Sequence, residues 1–531
     1  LATRPEEQRP TYHPIRRIEH VPENLPDVIA IDYETTGLDP RTEELRTVSI
    51  CGQKGVSFTF DLHVPSIKEW FGCVLRNNRI GKITHNGFFE DIWSRVHFGT
   101  PIVNWCWDTK IAEHLIDENL PNSLGDLTIK YTLIKPYKKE YDWKTVTFDD
   151  IYYYNAADAD ATFQIANQQW SDLGFRDVVQ SSIKYTQALS QLHDNGFRIT
   201  EEKLNLARST ITQKRDSLRE ELQQMPCVTA VIKEPFNPNS TKQLRSIIFD
   251  SLKMAPTHKT KTGNKSAGSD FIEAHINEHP FLEKLNEYRG IDQLRKNFLD
   301  VLPTHLRAGK LHPWWNILGT RTWRIACGSP NLQNIPKGDT GRIVRSLFHP
   351  TDGGILVEGD YSQIELRVLA SLANEPAMLE AFRNGEDIHS RSAAEVLGKR
   401  IEDITPEERQ TGKRLNFACV YGSSEYGLNQ KFGIPIEEGR ELIGNLWKRL
   451  PKIREFLDSV EDEVNRTGEV KNIFGRTRHL PEIHSSDRKL KSHAEKQAKN
   501  FPIQSAAAEI TLMALKAVID SGFIAHAQVH D

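Results

Sequence analysis

VEGDYSQIELR, residues 357–367, is an apolar approach that ends on an acid, Asp360, and runs into a helical pattern. The apolar run from residue 354 predicts a strand, with the carboxylate at its end. A second acid stands at a similar junction: residues 523–529 predict a last strand, and QVHD, residues 528–531, brings Asp531 to its end. Phosphoryl transfer from a triphosphate needs two divalent ions about 3.5–4 Å apart, stabilising the entering and leaving oxygens. That requirement favours acids from two separate strands. Between them, RQTGKRLNFACVYG sets Arg409, Lys413, Phe417 and Tyr421 four residues apart. Each such step advances a helix about 6 Å and drifts about 40° around it. The product is a stripe with two cations at one end and two aromatics at the other. The cations suit a triphosphate, and the aromatics suit a base and a sugar. Taken singly, each piece also fits an ordinary core strand or amphipathic helix.

Another acidic constellation lies upstream. VIAIDYETTG, residues 28–37, predicts a buried strand that delivers Asp32 and Glu34 two positions apart. Residues i and i+2 of a strand point the same way, so both carboxylates can face one cation. Asn86 follows in HNGFFED, with Glu90 and Asp91 four and five residues later. In YYYNAADADAT, Tyr154 and Asp158 are one helical turn apart and share a face. Such a pair can hold an attacking water and a second metal together.

The 531 residues exceed what one core supports, and two to four domains are expected. Apolar content of 38% and charged content of 26% are those of a soluble globular protein. No run of 18 apolar residues occurs, and the first residues do not read as a secretory signal. The six cysteines have no metal-ligand spacing and read as reduced core thiols. Net charge is −4, yet cations cluster. Residues 304–349 hold seven Lys/Arg against one acid, and residues 471–499 hold eight against three. Local basic linings on a near-neutral chain suit a cleft for a phosphate backbone. Residues 1–27 read as a flexible tail. Residues 257–269, THKTKTGNKSAGS, read as a mobile basic loop tip within a helical stretch that could clamp a duplex.

In order, VEGDYSQIELR, RQTGKRLNFACVYG and QVHD resemble motifs A, B and C of family A DNA polymerases of the bacterial DNA polymerase I large-fragment type. The DxE, Asn-then-acid and YxxxD series resembles the three exonuclease motifs of proofreading nucleases. NPNSTKQL (237–244), EYRG (287–290), SPNLQNIP (329–336), DIHSRSAAEVLG (387–398), GRTRHLPEI and KNFPIQSAAAEI also fit the family, and the resemblance runs from about residue 28 to 531. It implies a ribonuclease H-like α/β exonuclease domain over 28–182. An α+β right-hand polymerase would follow, with thumb 183–302, palm 303–379 and 486–531, and fingers 380–485.

The resemblance also implies roles. Asp360 and Asp531 would carry two Mg²⁺. Asp32, Glu34, Asp158 and either Glu90 or Asp91 would hold two Mg²⁺ or Mn²⁺ in the exonuclease site, with Tyr154 beside the water. Arg409 and Lys413 would bind the incoming deoxynucleoside triphosphate and His389 would approach its phosphates. Phe417 would lie against the sugar and Tyr421 would close the base-pair pocket. Gln363 would line the nucleotide site, and Glu365 would exclude a ribose 2′-hydroxyl. Arg324, Asn331, Gln333, Lys496, Asn500, Gln504 and His530 would contact primer-template DNA, several of them in the minor groove, where every base pair offers similar acceptors.

The expected partners are DNA and deoxynucleotides, with no membrane, acting as a monomer. The expected location is intracellular, in a bacterial or phage-infected cytoplasm or an organelle.

Three departures stand out. Trp323 replaces the Gly of the family's Thr-x-x-Gly-Arg, and Lys496 stands where Arg is usual. The family also continues past QVHD with Glu and further strand and helix. Two expectations follow: a trimmed tail, or a C-terminal partner fragment that completes the polymerase half. A proofreading nuclease with an incomplete polymerase half is the alternative function.

Overall fold

The computed structural model describes residues 10–529, except 138, 171–172, 257–262, 264, 337, 351–352, 421–424 and 433. Only the backbone is described at 173, 339–340, 395, 417–420 and 430–432. The basic tip expected at 257–269 thus lies largely outside the described residues, as do Tyr421, His530 and Asp531.

The chain divides into two compact units. One comprises Leu1–Asp194, Trp315–Ala326 and Gly359–Asp531, the other Asn195–Trp314 and Cys327–Glu358. This division cuts across the boundaries read from sequence. The helix α6 (Arg176–Asn195), expected to open the thumb, lies almost wholly in the first unit.

A six-stranded sheet organises the N-terminal part of the first unit. Its strands are β1 (Thr11–Ile15), β2 (Val28–Thr35), β3 (Leu45–Gln53), β4 (Val56–Asp61), β5 (Gly81–Thr84) and β6 (Trp105–Asp108). The order is β1-β4-β3-β2-β5-β6. β2, β3 and β4 pair antiparallel, and β2, β5 and β6 pair parallel. The parallel edge needs crossover helices, and α1 (Pro65–Arg76) and α2 (Phe88–Phe98) provide them, followed by α3 (Thr109–Ile116), α4 (Leu124–Tyr131) and α5 (Phe148–Trp170). β2 is apolar through Ile29, Ala30 and Ile31, all buried, which sinks its first half and leaves Asp32 and Glu34 half-buried at its end. α5 packs across β2, β3 and β4. α2 starts hard against the sheet. A Cβ on Gly87 would lie 2.3 Å from both Thr84 Oγ1 and Trp105 Cζ2, so only glycine fits.

The tail expected to be flexible over 1–27 is partly ordered. Residues 11–15 form β1, parallel to β4 on the sheet edge. The Tyr12 hydroxyl donates to Asp160 (2.9 Å) and His13 stacks on Phe58 (ring centroids 4.9 Å apart). A Pro in TYHPI argues against a central strand but not against an edge strand, where an unpaired position tolerates it.

The rest of this unit is mainly helical, with a short antiparallel hairpin of Glu469–Lys471 and Thr477–His479 whose turn carries Arg476. Ile364–Ala373, Pro376–Arg383, Pro451–Thr467 and the 33-residue helix Arg488–Asp520 share a core that includes Leu369, Met378, Ile453, Leu457 and Ile503. The last helix is long and apolar enough in composition to cross a bilayer, but 56% of its apolar window is buried within the protein.

Two expected strands are absent. Residues 353–361 and 523–529 carry no strand ladder, and Ile355, Val357 and Phe523 are 84%, 83% and 70% exposed. Strand propensity is realised only against a neighbour that takes up the backbone hydrogen bonds. Neither segment is assigned to a strand among the described residues.

The second unit holds the predicted helix over 201–224, found as Glu201–Gln224, packed on Pro280–Leu294. It also has a four-stranded antiparallel sheet of two- and three-residue strands (Phe348–His349, Phe197–Ile199, Lys310–Leu311 and Leu306–Arg307).

Candidate active sites

The predicted acids of β2 and α5 come together. Carboxylate oxygens of Asp32, Glu34 and Asp158 all lie within 4.8 Å of one another. At that separation, and at an effective dielectric near 20, two unit charges repel by roughly 3.5 kcal/mol. Asn155, wholly buried one turn from Asp158, locks the helix to the strand. Its Nδ2 donates to Asp32 Oδ2 (2.7 Å) and to the Asp32 carbonyl (3.1 Å), and its Oδ1 accepts from Thr47 Oγ1 (2.9 Å).

The two candidates on α2 have different surroundings. Glu90 is 4% exposed, and its Oε2 has no hydrogen-bond partner among the described residues. Burial first, then the charges of Asp32 and Asp108, push its carboxyl well above the usual range. Asp91 instead accepts from Arg95 Nε (2.8 Å), Ile102 N (2.7 Å) and Ser190 Oγ (2.5 Å), so it ties α2 to α6. It does not join the cluster.

This all-oxygen set, half-buried at Asp32 and Glu34 and buried at Asp158, fits a hard divalent cation such as Mg²⁺ or Mn²⁺. Tyr154 lies beside these acids. Burial, then the charges of Asp158, Glu34 and Asp32, raise its hydroxyl pKa. Sequence reasoning missed Tyr137, whose hydroxyl donates to Asp158 Oδ1. The rings of Tyr137, Tyr141 and Trp143 pack on Tyr154 with centroids 5.8–5.9 Å away. The available signal was three aromatics within seven residues just before α5. Asn155 was missed too, although it lies within the motif.

A second group forms around the helix Pro406–Val420. Arg409, Lys413 and Phe417 stand at successive turns of this helix, as predicted, with only the backbone described at Phe417. Arg409 grips Asp387 through Nη2 (2.8 Å) and Nε (3.3 Å). Burial would raise the Asp387 carboxyl, but hydrogen bonds from Arg409 and Ser390 outweigh it and hold its pKa at about 2.

His389 is 7% exposed on the facing helix Ile388–Leu397. Asn416 is oriented by Ser392 Oγ, which donates to its Oδ1 (2.8 Å), so its Nδ2 donates to His389 Nδ1 (2.9 Å). Nε2 therefore carries the ring proton. Burial, with Arg409 and Lys413 nearby, lowers the His389 pKa and keeps the ring neutral at pH 7. The two helices touch at Gly412, where a Cβ would lie 2.0 Å from the His389 carbonyl oxygen.

The remaining candidates are dispersed. Asp360 is exposed and outside any strand. Gln363, with φ +57°, caps Ile364–Ala373, and its Oε1 is buried without a partner among the described residues. Glu365 pairs with Arg324. Lys496, Asn500 and Gln504 recur every four residues along Arg488–Asp520, with Asn500 Oδ1 buried and also unpartnered among the described residues. In the second unit, exposed Asn331 accepts from the Gln333 amide (3.0 Å).

The two groups lie in regions that match two different families. Residues 14–173 match the 3'-5' exonuclease family model, and residues 203–531 match that of DNA polymerase family A. DNA polymerase I of Caldicellulosiruptor bescii is 37% identical over 330 residues, covering 62% of this chain and 38% of that protein. DNA polymerase I of Pseudomonas aeruginosa is 29% identical over 548 residues, covering 95% and 59%. The chain thus spans less than two thirds of the length of these curated relatives. A solved structure, the POL domain of Pol1 from M. smegmatis in complex with DNA primer-template and dNTP, superposes with a TM-score of 0.82 at 26% identity, covering 95% of this chain and 88% of that one. With more than half of its residues matched by the polymerase model, the chain belongs to DNA polymerase family A.

Proposed function

We propose that this chain extends a DNA primer on a DNA template with deoxynucleoside triphosphates, and removes mispaired 3′ ends by hydrolysis. The primer 3′-hydroxyl attacks the α-phosphate and pyrophosphate leaves. The observation that carries this is the presence, in one chain, of the Asp32–Glu34–Asp158 cluster and the His389–Arg409–Lys413 group.

In the polymerase half, Arg409 and Lys413 neutralise triphosphate charge and the His389 Nε2–H donates to a phosphate oxygen. Asp387 holds the Arg409 fork in place until substrate competes for it. Phe417 lies on the sugar, Tyr421 closes the pocket, Gln363 lines it, and Glu365 excludes a 2′-hydroxyl. Arg324, Asn331, Gln333, Lys496, Asn500, Gln504 and His530 hold primer-template DNA. Asp360 and Asp531 would hold two Mg²⁺. Asp32, Glu34, Asp158 and Glu90 would hold Mg²⁺ or Mn²⁺ in the exonuclease half. Bound there, such ions activate the nucleophile and stabilise the departing oxygen. Tyr154 orients the attacking water. Residues 183–302 act as thumb, 303–379 and 486–531 as palm, and 380–485 as fingers. The setting is an intracellular monomer, and bacterial relatives favour a bacterial or phage-infected cell.

One observation favours a second reading. The segment that leads to Asp360 is exposed, the one that leads to Asp531 is exposed at 523–524 and half-buried at 525–528, and neither forms a strand, as in a polymerase half that a C-terminal fragment completes, or in a nuclease that only holds DNA. The test is a labelled primer-template with Mg²⁺, assayed with and without deoxynucleotides. Lengthened products are expected with them and shortened products without. Trimming with no extension supports the second reading. Extension that appears only on adding the segment that follows QVHD in a family A relative identifies the completing fragment.

A further inference from the structure

Trp323 is 2% exposed. Its φ of +63° lies in the left-handed region that favours glycine. A bulky residue keeps such a conformation only where its surroundings hold it. The Arg476 guanidinium lies over the indole, 3.8 Å from the ring centroid. Arg476 is wholly buried, bonded through Nε to Glu509 and through Nη1 to Ser182 Oγ (3.0 Å). Its Nη2 has no hydrogen-bond partner among the described residues, and the indole face compensates it as a cation–π partner. His114 of α3 meets the indole edge-on, with centroids 5.2 Å apart at 79°. Burial lowers the His114 pKa to about 4, so an uncharged ring meets the indole. Trp323 thus joins the exonuclease-matched helix α3, through His114, and α6, through Ser182, to the hairpin and long helix that carry Arg476 and Glu509.

The turn itself is tight. The Trp323 amide donates to the Thr320 carbonyl (3.3 Å), and Thr320 Oγ1 donates to the Arg324 carbonyl (2.8 Å). Arg324 leaves this turn to pair with Glu365.

We propose that Trp323 is a positioning residue. Its indole fixes residues 320–324 where glycine would leave them loose, so that Arg324 meets the primer end beside Glu365. Its contact with His114 ties that grip to the exonuclease half. The proposal rests on the polymerase reading above.

Trp323→Gly accepts the backbone conformation but removes the clamp. It is expected to slow single-nucleotide addition to a matched primer at least tenfold and to shift primer ends from extension toward trimming. Trimming of single-stranded DNA should stay within about twofold, which also reports that the chain is folded. Trp323→Phe, keeping a ring for Arg476, should recover most of the rate. In an Arg324→Ala background, Trp323→Gly should add no further loss, because it acts through Arg324. Independent multiplication of the two losses overturns the proposal, as does a Phe variant no better than Gly. Should the Gly variant fail to fold, Trp323→Leu, which fills volume without an aromatic face, carries the same expectations. Hydrogen exchange of amides 320–324 in the whole chain decides the structural half without any extension assay: faster exchange in the Gly variant but not in the Phe variant supports it, and unchanged exchange refutes it. A parent chain that extends no primer overturns the polymerase reading, while the exchange result still judges the clamp.

Discussion

Replacing Asn155 by Ala tests how the three-carboxylate cluster is held. Asn155 is 0% exposed and makes three hydrogen bonds, two to Asp32 and one from Thr47. The bond to the Asp32 carboxylate is charge-assisted, and such bonds contribute about 1.5–3 kcal/mol. Without it, repulsion from Glu34 and Asp158 is less well opposed at the Asp32 carboxylate. If all of that energy is lost from the transition state, trimming slows by roughly 10- to 160-fold, since each ~1.36 kcal/mol is tenfold in rate. The assay is single-turnover removal of one nucleotide from labelled single-stranded DNA across a Mg²⁺ titration. The Mg²⁺ midpoint should rise as well, because the ligand set is no longer pre-organised. Primer extension should be unchanged. Trimming within twofold of the parent at every Mg²⁺ concentration would show that Asn155 does not position Asp32.

Two further outcomes follow from the packing. Gly412→Ala should destabilise the chain by about 1–3 kcal/mol, the usual cost of overpacking, and should raise the KM for deoxynucleotides by forcing His389 away from Arg409 and Lys413. A KM and thermal midpoint equal to the parent's would contradict the close helix contact. Glu118 tests the electrostatics. Burial would raise its carboxyl, but hydrogen bonds from His479 and Arg478 outweigh that and hold it at about 2, below its ordinary 4.5. A depressed folded pKa contributes stability above pH ~4.5 that is lost as pH falls toward 2. The full shift corresponds to about 3.4 kcal/mol, and solvent screening reduces it to about 2 kcal/mol. Glu118→Gln should therefore lose stability near pH 6 and show a flatter decline between pH 5 and 2, measured by urea unfolding. A parallel pair of stability curves would contradict this.

Much of the fold was legible because it is local. The period-2 pattern of β2 fixed Asp32 and Glu34 on one face, and helix 201–224 was bounded by its charge pattern. The YxxxD spacing brought Tyr154 and Asp158 to one helical face. What was not legible depends on partners distant in sequence. Asn155 reads as filler in an Ala-rich helix until Thr47 and Asp32 appear beside it. Spacing left Glu90 and Asp91 equivalent. Only the helix phase, which points Asp91 at Arg95, Ser190 and Ile102, separates them. β1 escaped notice because five residues with a Pro carry no periodicity. The strands expected before Asp360 and Asp531 had the right propensity but are not formed among the described residues. Trp323 was visible as a departure from the family pattern, but its partners His114 and Arg476 are 209 and 153 positions away.

The most direct test of two separate centres in this chain is a reciprocal pair of variants, Asp360→Ala and Asp32→Ala. Each is assayed for extension and for trimming in whichever form of the protein, alone or with the completing segment, extends primers. Loss of extension with trimming intact in the first, and loss of trimming with extension intact in the second, is the expected pattern. Normal extension by Asp360→Ala would contradict the assignment of nucleotide transfer to the segment around residue 360.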